Sequence, residues 1–196
     1  EPGIGSDVRG MKCSARAEGD DFIINGTKHF ISHADEADFV ILYAATGEEA
    51  TPRGKKKLIT AFLIDKDTPG YTVRDGYKNV SHRGYNNCIL EFSDCRVHKS
   101  QILGELHQGF EVANDWLGAT RLQVAATCLG RAERALEHAK QWAVDRVQFG
   151  QQIGKFQGVS FKLADMAMEL KAAELLTFEA AWKFDQGQAA DMDMAM

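Results

Sequence analysis

Hydrophobic residues fall into two regimes along the chain. Between Met11 and about Val97 they come in short runs: Phe22-Ile23-Ile24, His29-Phe30-Ile31, Phe39-Val40-Ile41-Leu42-Tyr43, Leu58 to Ile64, Tyr71-Thr72-Val73 and Cys88 to Phe92. Short runs rich in β-branched and aromatic residues, bounded by turn residues, predict strands. Asn25-Gly26 predicts a two-residue hairpin, because a type I′ turn needs positive φ at both central positions. Thr68-Pro69-Gly70 predicts a second turn. Six strand candidates with no helix-period segment between them predict an antiparallel barrel or sandwich.

From Phe110 the period changes. Leu122, Ala125, Leu129, Ala132, Leu136, Ala139 and Ala143 recur at alternating spacings of three and four, which places them on one helical face. Val159, Leu163, Met166, Leu170, Ala173, Thr177, Ala180 and Phe184 repeat the pattern, and Gly187 then supplies a C-terminal stop. Two long helices joined around Phe149-Gly150 predict an antiparallel hairpin, the first roughly 50 Å long at about 1.5 Å per residue. Ala189-Ala190-Asp191-Met192 reads as the opening of a third helix. The fold expected is α+β, with a β-domain over residues 1–100 and the start of an incomplete four-helix bundle over 101–196.

Composition narrows the classes. The chain has 196 residues with 44% hydrophobic and 26% charged, the profile of a globular protein rather than a disordered or membrane-spanning one. Lys+Arg 23 against Asp+Glu 28 gives a net charge of −5, which argues against a nucleic-acid or anionic-membrane binder, since both need a clustered positive face. The basic run Lys55-Lys56-Lys57 beside Pro52 and Gly54 reads as a solvated loop tip. Cys13, Cys88, Cys95 and Cys128 form no CxxC pair, so a reduced, intracellular protein is expected. The six histidines form no i,i+4 helical metal pair, and no metal is assigned. The chain opens at Glu1 rather than at a methionine and reads as a piece cut at both ends.

Glu1-Pro2-Gly3-Ile4-Gly5-Ser6-Asp7 is a glycine-rich turn ending in a hydroxyl and a carboxylate. Its glycines allow close backbone approach to a ligand, and exposed N–H groups with a hydroxyl suit a phosphate or a carbonyl. The spacing fits neither the Rossmann nor the P-loop pattern. Followed by Ile24-Asn25-Gly26-Thr27-Lys28-His29-Phe30-Ile31-Ser32, His82-Arg83-Gly84, Phe92-Ser93-Asp94-Cys95-Arg96-Val97, Leu103-Gly104 with Gly109-Phe110, Arg146-Val147-Gln148-Phe149-Gly150, Ile153-Gly154-Lys155-Phe156-Gln157 and Lys162-Leu163-Ala164-Asp165-Met166, the turn resembles the signature of the acyl-CoA dehydrogenase family. These flavoenzymes desaturate acyl-CoA thioesters between the α and β carbons, and the likeness runs in order over essentially the whole chain.

The resemblance implies FAD as cofactor and assigns roles position by position. Gly5 and Ser6 would approach the FAD pyrophosphate, Phe30 and Ile31 would lie by the flavin ring, and Ser32 would donate near its N5. An aromatic and a hydroxyl at i and i+2 of a strand share one face. Arg146 and Phe149 would hold the FAD pyrophosphate and adenine of a neighbouring subunit, Arg146 through its bidentate fork, and Gln148 and Gln157 would lie near the cofactor. For the acyl-CoA substrate the resemblance implies Ser6, Arg83, Thr120 and Arg121. Tyr85 and Gly118 depart from residues seen in relatives, so acyl specificity does not carry over.

The family's catalytic glutamate lies in most members on a loop well after Gln157, and in a minority just before the arginine matching Arg121, where this chain has Thr120. No catalytic residue is therefore expected in the chain, and the base is expected beyond Met196. The resemblance also implies a homodimer or homotetramer, an electron-transfer flavoprotein as partner, and a soluble location in the bacterial cytoplasm or mitochondrial matrix. Open alternatives are an acyl-CoA oxidase or flavin monooxygenase on the same scaffold, or a non-catalytic scaffold or binding module that lacks the base.

Overall fold

A computed structural model describes residues 1–52, 54–81, 83–188 and 191–195. Its contacts divide the chain into two units, Glu1–Asn114 and Asp115–Met196. The architecture is α+β: a curled sheet, a half-barrel, followed by helices.

In the first unit the strands are β1 (Ser14–Glu18), β2 (Asp21–Ser32), β3 (Phe39–Thr51), β4 (Gly54–Asp65), β5 (Tyr71–Tyr77), β6 (Asn87–His98) and β7 (Ile102–Leu103). They form one sheet in the order β5-β6-β2-β1-β3-β4-β7. Every pairing is antiparallel except a single parallel contact between Ser14 of β1 and Ala45 of β3. All six predicted runs lie in strands. β1 adds a seventh strand of mixed polarity, Ser14-Ala15-Arg16-Ala17-Glu18, whose Ala15 is buried while the flanking residues stay exposed. Phe22, Ile24, Leu42, Phe62, Ile64, Leu90 and Val97 fill the concave side, with Phe22 meeting Phe62 edge-on at 5.3 Å.

Asn25-Gly26 forms no hairpin. Both residues lie inside β2, and the β1–β2 reversal falls at Gly19-Asp20, with Gly19 at φ 65°. Gly26 instead permits close packing: a Cβ there would stand 2.6 Å from Cys13 Cα. The sheet bulges at this point, and the Asn25 side chain pins the neighbouring corner, donating from Nδ2 to Asp94 Oδ1 at 3.0 Å and accepting from Asp94 N at 2.9 Å. The predicted turn at Thr68-Pro69-Gly70 forms, with Tyr71 N donating to Thr68 O at 3.0 Å and Gly70 at φ 86°. Lys55-Lys56-Lys57 is strand rather than loop tip: the three residues pair across the ladder with Ala50, Glu49 and Glu48, so opposite charges offset the basic run.

The second unit holds most of α1 (Gly109–Asp145), a short hairpin of β8 (Val147–Gln148) and β9 (Gln151–Gln152), α2 (Gln157–Asp185) and α3 (Asp191–Ala195). With 37 residues, α1 is about 55 Å long. The two predicted stripes face each other: Leu122, Leu129, Leu136, Met166, Leu170 and Ala180 line one apolar groove of about 760 Å³. Gly187 ends α2 at φ 66°, where Gly187 N donates to Phe184 O and Gln188 N to Lys183 O, both at 3.0 Å, the Schellman pattern. Of the predicted third helix, Ala189, Ala190 and Met196 lie outside the described residues.

Candidate functional site

The glycine-rich opening and one end of β2 meet in a single cleft. Glu1, Pro2, Gly3, Ile4, Gly5, His29 and Phe30 line it, and its volume is about 470 Å³. Nothing crowds the place where a Gly5 side chain would stand, so the backbone there is open to a ligand. Phe30, 54% exposed, turns its ring to this cleft.

Phe30 reaches the cleft because β2 bulges. Lys28 pairs with Leu90 and Ile31 with Cys88, so three steps along β2 oppose two along β6. The extra residue puts Phe30 at φ 59°, in the left-handed region. The expected i, i+2 sharing of a face by Phe30 and Ser32 does not apply across this bulge. Ile31 packs against the core, and Ser32 Oγ donates to Asn87 Oδ1 at 3.4 Å. Ser6 follows the cleft residue Gly5 but does not line the cleft, and its carbonyl accepts from Val8 N at 3.0 Å.

Glu1 holds the glycine-rich turn down. Its carboxylate accepts from Lys12 N at 2.8 Å, Cys13 N at 3.2 Å and Lys28 Nζ at 2.7 Å. Burial pushes its pKa up, but the Lys28 ammonium and the two backbone donors outweigh this and hold the carboxyl below its ordinary range. Glu1 and Lys28 each lie in a sequence motif, but the motifs do not show that the two side chains pair. Oppositely charged residues in two glycine-bearing motifs were the available signal.

Arg83 is exposed on the turn at 83–84, and His82 of the same predicted motif lies outside the described residues. In the second unit Thr120 is half-buried, with Oγ1 donating to Trp116 O at 2.9 Å one turn earlier, and Arg121 is exposed.

The remaining four predicted residues cluster around the β8–β9 hairpin. Its turn residues, Phe149 and Gly150, have φ 53° and 75°, the positive pair of a type I′ turn. Phe149 is 94% exposed and makes an edge-on contact with Phe156 at 6.1 Å, immediately before Gln157 opens α2. Arg146 accepts from Ile153 N through its carbonyl at 2.9 Å, which closes the hairpin base, while its guanidinium rests 5.9 Å from the Trp142 ring. Gln148 Nε2 donates to the Val147 carbonyl at 2.7 Å. A cation and an aromatic ring thus stand exposed at one hairpin.

Among the described residues no three His, Cys, Asp or Glu side chains gather as a metal site, and no helix is long and apolar enough to cross a membrane.

The first unit is thus a half-barrel with an aromatic-walled, glycine-lined cleft, and two long facing helices follow it in the chain. The chain matches the family model "Acyl-CoA dehydrogenase, middle domain" over residues 1–95 and "Acyl-CoA dehydrogenase, C-terminal domain" over 107–196. It is 40% identical over 196 residues to the short-chain specific acyl-CoA dehydrogenase, mitochondrial, of Homo sapiens, covering 100% of this chain and 47% of that protein. Among solved structures, butyryl-CoA dehydrogenase from Megasphaera elsdenii superposes with a TM-score of 0.88 at 38% identity, covering 100% of this chain and 50% of that one. A structure described as PigA with FAD and proline gives a TM-score of 0.91 at 34% identity, covering 100% and 50%. The chain belongs to the acyl-CoA dehydrogenase family. It spans about half the length of the curated relatives it matches.

Proposed function

We propose that the whole protein is an FAD-dependent acyl-CoA dehydrogenase that introduces a double bond between the α and β carbons of an acyl-CoA thioester. The observation that carries this reading is the convergence of the glycine-rich turn and Phe30 on one cleft. The donor set fits a flavin: a flat exposed ring on one side, and on the other a backbone with no side chain between Gly5 and the ligand.

In this reading Phe30 lies against the isoalloxazine and fixes its plane. Gly5 brings main-chain N–H groups near the pyrophosphate, Ser6 adds a hydroxyl there or at the thioester, and Ile31 and Ser32 shape the ring's edge. Arg146 and Phe149 would take the FAD of a second copy, Arg146 turning from Trp142 so that its planar fork can meet the pyrophosphate, and Gln148 and Gln157 would lie near the cofactor. Arg83, Thr120 and Arg121 face the acyl-CoA. Bound FAD supplies the two-electron acceptance that no side chain provides.

Hydrogen bonds to the thioester carbonyl would acidify the α proton by stabilising the charge that develops on oxygen. Glu1, the carboxylate in the cleft, is an unsuitable acceptor for that proton. Three donors already occupy it, and its basicity is lowered. It anchors the turn, and the base comes from another part of the protein. The whole protein would work as a homodimer or homotetramer, hand electrons to an electron-transfer flavoprotein, and act inside the cell, in bacterial cytoplasm or mitochondrial matrix.

Anaerobic titration of the full-length protein with a panel of acyl-CoAs tests this. Bleaching of the flavin's visible absorbance by at least one acyl-CoA is expected. No bleaching by any of them contradicts the reading, and rapid reoxidation by air would instead mark an oxidase.

A further inference from the structure

Phe30 stacks on Tyr77. The two ring centroids are 4.2 Å apart with planes inclined by 21°, and His29 closes the group, its Nδ1 3.2 Å from Tyr77 Oη. Tyr77 sits on β5 and Phe30 on β2, and β6 runs between them. Two strand spacings are about 9 to 10 Å, so flat neighbours on β5 and β2 would not stack.

Two bulges, one on each side of β6, remove that gap. On β2 the extra residue lies between Lys28 and Ile31, opposite Leu90 and Cys88. On β5 it lies between Arg74 and Tyr77, opposite Ile89 and Asn87. Bulges bend a strand and re-aim its side chains, and here both fall on the same few residues of β6. Gly76 makes the second bulge possible, because a Cβ at that position would fall on the Asn87 carbonyl.

The left-handed backbone of Phe30 is costly for an aromatic residue and persists only where its surroundings over-determine it. With its ring 54% exposed, the core does not hold it. Tyr77 and His29 are its ring neighbours, and Tyr77 does not itself line the cleft.

We propose that Tyr77 is a positioning residue: stacked on Phe30 across β6 through the paired bulges, it holds the aromatic wall of the cleft in its ligand-ready orientation. The proposal rests on the reading that Phe30 lies against a flavin. Tyr77 lies outside the cleft lining, behind Phe30, so its effect on a ligand in the cleft would pass through Phe30.

The test uses full-length protein stripped of cofactor and titrated with FAD, with the visible circular dichroism of the bound flavin as a second readout. Y77L should raise the FAD Kd about fivefold, the equivalent of about 1 kcal/mol for one lost aromatic pair, and shrink the flavin dichroism. Y77F keeps the stack and loses only the hydroxyl, so its Kd should stay within about twofold of the parent and its dichroism should be restored. F30L should resemble Y77L, and F30L/Y77L should bind no more weakly than F30L alone. A Y77F defect as large as that of Y77L overturns the stacking role. Additive losses in the double variant overturn action through Phe30. An F30L defect with Y77L unchanged overturns the positioning of Phe30 by Tyr77 and leaves the flavin placement standing. Unchanged FAD binding in F30L itself overturns that placement and this proposal together.

Discussion

Glu1 Oε1 lies 2.7 Å from Lys28 Nζ, with only 5% and 13% of the two side chains exposed. The pair ties the glycine-rich turn to β2 two residues before Phe30, so both walls of the cleft share one anchor. Removing one partner leaves the other charge buried, and K28M should lower unfolding stability by about 1 to 3 kcal/mol in urea titrations. The folded Glu1 carboxyl titrates below its ordinary 4.5. Its contribution is therefore complete above that value and drains away as the pH falls through the lowered folded value. K28M should flatten this acid-side loss. An acid limb identical in both proteins would show that the pair stores no stability.

Phe149 occupies a position of the β8–β9 turn that suits asparagine or glycine, at φ 53° and 94% exposed. Relief of the left-handed strain by F149N should raise stability by about 0.5 to 1 kcal/mol. The same change should weaken FAD binding in the full-length protein if the exposed ring is kept for a ligand. Equilibrium unfolding and FAD titration on one pair of proteins measure both effects. Gain in both would mark Phe149 as an unused surface residue.

Arg146 offers a fork rather than a mere charge. R146A should weaken FAD retention about tenfold to a hundredfold, and R146K should recover little of it, because an ammonium cannot pair two oxygens in one plane. Ultrafiltration followed by flavin absorbance gives the comparison directly. Full recovery in the lysine variant would reduce the residue's role to charge.

Burial pushes the Cys13 thiol up to about 11 and raises those of Cys88 and Cys95, whereas Cys128 is exposed on α1. A thiolate is the reactive form. In the 196-residue chain at pH 8, Ellman's reagent should therefore titrate one thiol quickly and four after denaturation. Fast reaction of two or more in the native chain would contradict the buried placement of residues 13, 88 and 95.

The regular parts of the fold were legible in the sequence. Residue type and flanking turn residues located the six strand runs, spacing located the two facing helical stripes, and a glycine marked the Gly187 stop, since each is a local property of the chain. What spacing could not reveal was how the sheet departs from regularity. Asn25-Gly26 carries the strongest hairpin mark in the chain, yet Gly26 serves close packing against Cys13. The type I′ turn appears instead at Phe149-Gly150, where one of the residues is a poor turn former. Phe30 was found through its motif, but not the bulge that aims it or the Tyr77 ring beneath it. Gly76, just past the predicted run Tyr71-Thr72-Val73, was the available signal for that bulge. Ser6 and Ser32, predicted with Phe30, lie beside the cleft residues rather than among them.

In the proposed enzyme the turn from Glu1 to Gly5 and the Phe30 ring form two walls of a flavin site. An experimental structure of the full-length protein with FAD tests it most directly. The isoalloxazine should lie in van der Waals contact with Phe30, with phosphate or ring atoms within hydrogen-bond reach of the Gly3–Ser6 backbone. Flavin density elsewhere, with the cleft filled by solvent, would contradict it.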